Sequence, residues 1–257
     1  MKFILIDANG NIYEGWKRWL SDWPSVVLHQ GTLKDVVDNR SQFAENETRA
    51  LVSPGNSFGF LQGGFDYAIL KHFGGPQFEE FLQGRMVTGY RPVTTCSVYE
   101  IEEPFTGKGF NYLLHSPTML APCRPVFEAE RPVETGIRLV FDTMWNILNT
   151  VPEDVKELVI PGLATGYAGI PAEIATLAMA FAIRLYILRD VISTGLMRVL
   201  IMRFMGYDYE PFEKTAWRQE MHSLGLNFEH LDQFNVYESS IDDILPRSLV
   251  NRLCNKA

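Results

Sequence analysis

Two segments of the chain break in the same way: a short apolar run passes through a glycine-rich loop directly into helical spacing. They are LVSPGNSFGFLQGGFD at residues 51–66 and VIPGLATGYAGIPAEIA at residues 159–175. A strand that turns straight into a helix cannot pair with its successor as a hairpin. Repeated along a chain, the pattern demands a sheet whose strands are joined by helical crossovers. The rest of the sequence agrees. Short β-branched and apolar runs at 3–6, 26–28, 50–52, 93–99, 112–115, 158–160 and 199–204 read as strands. Helical spacing is read over 12–20, 66–72, 76–83, 134–148, 171–188 and 210–223, with Ile137, Val140, Phe141, Met144 and Trp145 on one stripe and Pro171 at a tolerated first-turn position. These alternations predict an α/β protein, a three-layer α/β/α sandwich on a mixed, largely parallel sheet.

The 257 residues, 46% of them apolar, suffice for one packed core. No internal repeat, low-complexity tract or Gly/Ser linker divides them. Residues 1–223 are therefore read as one domain, and 224–257 as an extension packed on it, with SSIDDILP offering a serine cap before a short helix. The prolines of SPTMLAPCRPVFEAER, residues 116–131, mark an irregular loop. Lys plus Arg number 23 against 31 Asp plus Glu, a net charge of −8 that argues against duplex nucleic acid as a partner. Cys96, Cys123 and Cys254 are far apart and follow no ligand spacing, so neither a metal site nor a disulfide framework is expected. With no membrane-length apolar run and no signal-like N-terminus, a soluble, monomeric, intracellular protein of the cytoplasm or nucleus is expected.

Each glycine loop places unpaired backbone N–H groups and a helix N-terminus beyond a strand's carboxyl end, which suits an anion. Small residues at Gly162, Ala164, Thr165, Gly166, Ala168 and Gly169 let a ligand approach the main chain closely, and neither loop has the Lys of a P-loop. Taken singly, either loop reads equally well as a tight strand-to-helix turn. Asp66 could be only a helix cap and Asn56 only a turn residue. His115, His72 and His29 read as core histidines, and Trp16, Trp19 and Trp23 as a helical core stripe.

Together the two loops resemble the macro domains, which bind ADP-ribose and related NAD-derived metabolites. The first resembles the family's strand ending in asparagine, followed by glycines and an aspartate. The second resembles its Pro-x-x-(Ser/Ala)-Thr-Gly-x-x-Gly-x-Pro signature. Phe58, Phe60 and a run shortened to Gly63 and Gly64 resemble a divergent macro-like branch found in fungi, for which ADP-ribose 1″-phosphate phosphatase activity is the usual suggested role. The resemblance implies ADP-ribose or a derivative as the ligand, with no cofactor. It places Asn56 and Asp66 at the distal ribose as the catalytic pair, and Gly166, Tyr167, Ala168 and Gly169 along the diphosphate. Phe204 falls against adenine, and Gly55, Gly63, Gly64, Phe65, Gly162 and Thr165 complete the binding set. Where the family has an adenine-holding aspartate this chain has Thr32, with Asp7 or Asp35 as candidates to substitute. Three roles follow: a hydrolase of an ADP-ribose derivative, a non-catalytic reader, or a scaffold with a degenerate pocket. The carboxylate at Asp66 favours the hydrolase.

Overall fold

The computed structural model describes residues 1–38, 47–212 and 216–252; Cys254 lies outside them. The chain divides into two compact units, one of residues 1–21 and 25–179, the other of 22–24 and 180–257. The boundary that the sequence suggests at residue 223 falls inside the second of these units.

The described residues of the first unit form six strands: β1 (Lys2–Asp7), β2 (Val26–Gln30), β3 (Arg49–Ser53), β4 (Ser97–Glu100), β5 (Tyr112–His115) and β6 (Glu157–Pro161). Their order is β2-β1-β6-β3-β5-β4, and only the β4–β5 pair is antiparallel. The helices are α1 (Gly10–Leu20), α2 (Leu33–Asp38), α3 (Gly64–Phe73), α4 (Pro76–Arg85), α5 (Arg138–Thr150), which a π-helical turn over Val133–Ile137 precedes, and α6 (Ala172–Ile187), which continues into the second unit. This is a three-layer α/β/α arrangement on a mixed, mostly parallel sheet.

Because side chains alternate across a strand, each central strand feeds two cores. Ile4, Ile6, Leu51, Leu113 and Val159 pack with Leu33 and Val36 of α2, Ile69 and Phe73 of α3, and Phe78 and Leu82 of α4. Phe73 and Phe78 stack at 4.1 Å between ring centroids. The alternate residues Phe3, Leu5, Ala50, Val52, Leu114, Leu158 and Ile160 are buried on the other face. There α1 and α6 approach so closely that a β-carbon on Gly15 would lie 2.4 Å from Thr176 Oγ1. Trp16 is fully buried in that layer, as its helical spacing predicts.

In the second unit, α7 (Thr194–Phe204), α8 (Ala216–Leu224) and α9 (Phe228–Gln233) follow the end of α6. Phe181 stacks on Phe204 at 3.8 Å, and Phe204 also meets Phe234. The buried guanidinium of Arg184 bonds Asp242 Oδ1 at 2.6 Å and the Leu245 carbonyl, and lies over the Trp23 ring. Ser240 caps the 3-10 turn Ile241–Asp243 in a reciprocal capping box, as SSIDDILP foretells.

Two expectations need correction. Residues 199–204 are helical, because Ser193 accepts the Leu196 N–H and starts a helix that runs through the whole apolar stretch. The strand read at 93–99 is confined to Ser97–Glu100, since the segment before it is taken up by turns, with Thr94 at a φ of +69°. The sheet position beside β2 and β6 belongs to β1.

Candidate functional site

Parallel strands direct their carboxyl ends to one edge, and the loops leaving β1, β2, β3 and β6 meet there around a cavity of about 500 Å³. The first glycine loop brings Gly55, Asn56, Gly63, Gly64, Phe65 and Asp66 to its wall. The second brings Gly162, Thr165, Gly166, Tyr167 and Ala168. The ends of β1 and β2 add Asp7, Asn9 and Thr32, and the loop after β5 adds Thr118 and Met119.

That last loop is pinned to the first. Thr118 Oγ1 donates to the Pro54 carbonyl at 3.0 Å, and the Ser57 N–H donates to the Met119 carbonyl. Asn56 organises its own turn: Oδ1 accepts the N–H groups of Phe58 and Phe60, and Nδ2 donates to the Phe60 carbonyl at 2.8 Å. Leu61 N–H and the Gln62 amide then anchor on Glu79 of α4.

The wall carries no Lys, Arg or His side chain among the described residues. With no cationic side chain there, an anion meets main-chain amides and neutral polar side chains such as Thr165 and Gln62. Along the second loop the amides of Thr165, Gly166, Tyr167 and Ala168 have no protein acceptor among the described residues, while Gly169 N–H closes back on Gly166 and Ile170 N–H on Ala164. Ala164 holds a left-handed φ of +60° to make that turn. Opposite, the first-turn amides of α3 are open, as helix starts leave them. Two sets of unpaired amides facing one cavity form an anion cradle.

At one end of the cradle stands Asp66, in the first turn of α3 and buried. Its Oδ1 lies 2.8 Å from Ser53 Oγ, and Ser53 Oγ lies 3.2 Å from His115 Nδ1. Ser53 and His115 are register partners at the ends of β3 and β5, which is what brings them together. His115 Nε2 is 3.0 Å from the Asn56 carbonyl, which can only accept, so Nε2 carries the proton and Nδ1 is a lone pair. Burial holds His115 neutral, down to about 4, against the Asn56 hydrogen bond that favours the charged form. Burial pushes Asp66 up to about 7, against the hydrogen bond from Ser53.

One proton on Ser53 then has two possible acceptors. With Asp66 protonated, the chain runs Asp66 to Ser53 to His115 to the Asn56 carbonyl, and every member is satisfied. With Asp66 ionised, Ser53 turns to the carboxylate and the buried Nδ1 is left bare. The arrangement couples the charge of a cavity carboxylate to the orientation of one hydroxyl.

At the other end, Asp7 closes β1. Its Oδ1 accepts the Asn9 N–H at 2.8 Å and its Oδ2 the Gly162 N–H at 3.3 Å. Burial raises its pKa, and these two amides lower it. Thr32 is otherwise engaged, since its hydroxyl and N–H both donate to Asp35, which does not line the cavity.

Of the residues the sequence singled out, Gly169 shapes the second loop from behind, at a φ of +77° against Pro125. Phe204 is a correction: it sits inside α7, fully buried against Phe181 and Phe234, and is absent from the wall. Ser53 and His115 were missed as site residues. Their signal was a polar residue closing each of two apolar strands.

Such a cavity, with unpaired amides at the carboxyl ends of parallel strands and a carboxylate at each end, is complementary in its chemistry to an anion bearing hydrogen-bond donors on both sides. The chain belongs to the macro-like domain family, whose model matches residues 25–253. A protein of Aquifex aeolicus, itself uncharacterized, is 27% identical over 152 residues, 58% of this chain and 81% of that one. Among solved structures, the Oceanobacillus iheyensis macrodomain with MES bound is similar at 18% identity and a TM-score of 0.42, over 54% of this chain and 69% of that one. A mutant of that macrodomain with ADPR matches at 17% identity and 0.42, over 53% and 69%. The macrodomain of Mycobacterium tuberculosis DarG matches at 15% and 0.42, over 55% and 84%. No helix among the described residues is long and apolar enough to cross a membrane.

Proposed function

We propose that this protein binds ADP-ribose or a derivative in the cavity and hydrolyses the bond carried by the ribose beside Asp66. The family supplies the ligand class, and the order of groups along the sheet edge supports it. The β6 loop with its free amides lies between β1, which ends in Asp7, and β3, which ends beside Asp66. A diphosphate held by the amides therefore has a carboxylate on either side, one for each flanking sugar or base. The observation that carries hydrolysis is the Asp66 carboxyl, buried at the cavity wall and titrating near 7, the range in which an acid–base group is most effective.

On ADP-ribose 1″-phosphate, water attacks phosphorus, Asp66 takes the water's proton, and the bond from phosphorus to the ribose oxygen breaks. The same proton then goes to that oxygen. Inorganic phosphate and ADP-ribose leave. The Thr165–Ala168 amides hold the ligand's diphosphate in place, and fixed dipoles of this kind contribute several kcal/mol to catalysis when they face developing charge.

The test is turnover of ADP-ribose 1″-phosphate, and of a protein carrying ADP-ribose on a carboxylate, by wild type and Asp66→Ala. The variant is expected to lose about 10²-fold or more in rate while still binding ADP-ribose. Wild type that binds ADP-ribose but turns over neither substrate would make the protein a reader.

A further inference from the structure

The surface around the cavity is unevenly apolar. Apart from Met1, every exposed large apolar or aromatic side chain among the described residues of the first unit stands on a segment that forms or touches the loop after β3: Phe60, Tyr67, Val87, Tyr90, Leu120 and Tyr167. The turn over residues 86–91 is fastened there. Arg91 N–H donates to the Ser57 carbonyl at 2.9 Å, and the rings of Tyr90 and Phe60 both pack on Phe58, at 5.9 and 6.1 Å between centroids. The Ser57 N–H also reaches the Leu120 carbonyl at 3.1 Å, and a β-carbon on Gly63 would stand 2.9 Å from the Tyr167 ring. The residues that β1 and β2 bring to the wall include no exposed side chain of this kind. Of the six, only Phe60 and Tyr167 belong to the wall itself. The other four lie outside it, Val87 with 91% of its surface in water, so a nucleotide-sized ligand in the cavity leaves them uncovered. Gathering that much apolar surface in one exposed place is unfavourable, and such patches mark surfaces that a larger partner covers. A wall without cationic side chains among the described residues and a net charge of −8 disfavour nucleic acid as that partner.

Resting on the ADP-ribose reading above, we propose that this apolar rim is the docking surface for the polypeptide that carries the ADP-ribosyl group. The ribose enters beside Asp66, which directly precedes Tyr67 in α3, and the chain attached to it leaves over the first glycine loop. Apolar side chains flanking the modified residue settle on Phe60, Val87, Tyr90 and Leu120. Free ADP-ribose and its 1″-phosphate do not extend to the side chains outside the wall, so the rim separates a modified protein from a free nucleotide.

Isothermal titration of the full chain with three ligands tests this: ADP-ribose, and two peptides bearing ADP-ribose through an amide that resists hydrolysis, one with leucines and one with serines on either side of the modified residue. The leucine peptide should bind about tenfold or more tighter than the other two ligands, the scale of burying one or two apolar side chains. Val87→Asp, at a position too exposed to bear on the fold, and Tyr90→Ser should each remove most of that preference, while ADP-ribose affinity stays within about twofold. Val87→Asp decides the matter if Tyr90→Ser loosens the turn. Equal affinity of wild type for the two peptides, or a preference unchanged in Val87→Asp, overturns the docking surface and leaves the ADP-ribose reading standing. Tighter binding of a single-stranded oligonucleotide carrying the same group than of the leucine peptide overturns the choice of a polypeptide. Failure of all three ligands to bind at millimolar concentration overturns the ADP-ribose reading, and this proposal with it.

Discussion

A β-carbon placed on Gly55 would stand 2.6 Å from Asp66 Oδ2 and 3.1 Å from the His115 ring. The loop after β3 therefore passes the carboxyl at a separation only glycine allows. Gly55→Ala should displace Asp66 or the loop, costing about 1–3 kcal/mol as overpacking does. Turnover should fall by more than affinity for ADP-ribose, because the β6 amides are untouched. Thermal unfolding together with initial rates checks both parts; unchanged turnover would mean that Asp66 is not held against this loop.

Rate should depend on pH through Asp66. A general base with its pKa near 7 gives a kcat/KM that rises up to about pH 7 and then levels. Ser53→Ala removes the hydrogen bond that favours the ionised carboxyl, so the midpoint should move to higher pH, with the plateau rate less affected. A merely structural Ser53 would lower the plateau and leave the midpoint in place.

Stability should show the same pair of groups pulling in opposite directions. Asp66 titrates at about 7 when folded against an ordinary 3.8, so the folded state keeps a proton the unfolded chain has lost. That contribution declines as pH rises from about 4 to about 7. His115 titrates at about 4 when folded against an ordinary 6.5, so its contribution declines as pH falls from about 6.5 to about 4. Between those limits the two largely offset each other. Asp66→Asn removes only the first, and the variant should lose stability on acidification where wild type stays level. Urea midpoints from pH 4.5 to 7.5 report it, and parallel curves for the two proteins would refute the coupled picture.

The second unit offers a test independent of the cavity. Arg184 is 2% exposed and its partner Asp242 about half exposed, with a 2.6 Å contact between them. Asp242→Ala removes the carboxylate that faces a buried guanidinium and should cost about 1–3 kcal/mol, less than for a fully buried pair because water already reaches Asp242. ADP-ribose affinity should stay within about twofold of wild type. Denaturant unfolding and titration read the two quantities separately.

The parallel core strands and the two glycine loops were legible because each carries its own local signal: a short apolar run, glycine where the backbone must pass close, and an acid in the first turn of a helix. Residues 199–204 misled because VLIMRF has no periodicity long enough to tell a buried strand from a buried helix, and the deciding residue, Ser193, stands six positions upstream. Ser53 and His115 were invisible as partners for a different reason. They are 62 residues apart, and only the β3–β5 register, which no local pattern encodes, puts them side by side. The same holds for Asp7, whose place in the cavity depends on β1 entering the sheet between β2 and β6.

That entry also governs how the protein must be made. β1 is complete by residue 7, but one of its two neighbours, β6, ends at Pro161. At ordinary translation speeds about 150 residues take roughly 8–30 s to synthesise. For that interval β1 can be flanked on one side only, by β2, leaving an apolar strand with a row of unpaired N–H and C=O groups on its other edge. The period of nascent growth, rather than the finished fold, is therefore when this chain is most exposed to wrong pairing, and a slower passage through the middle of the message would lengthen it.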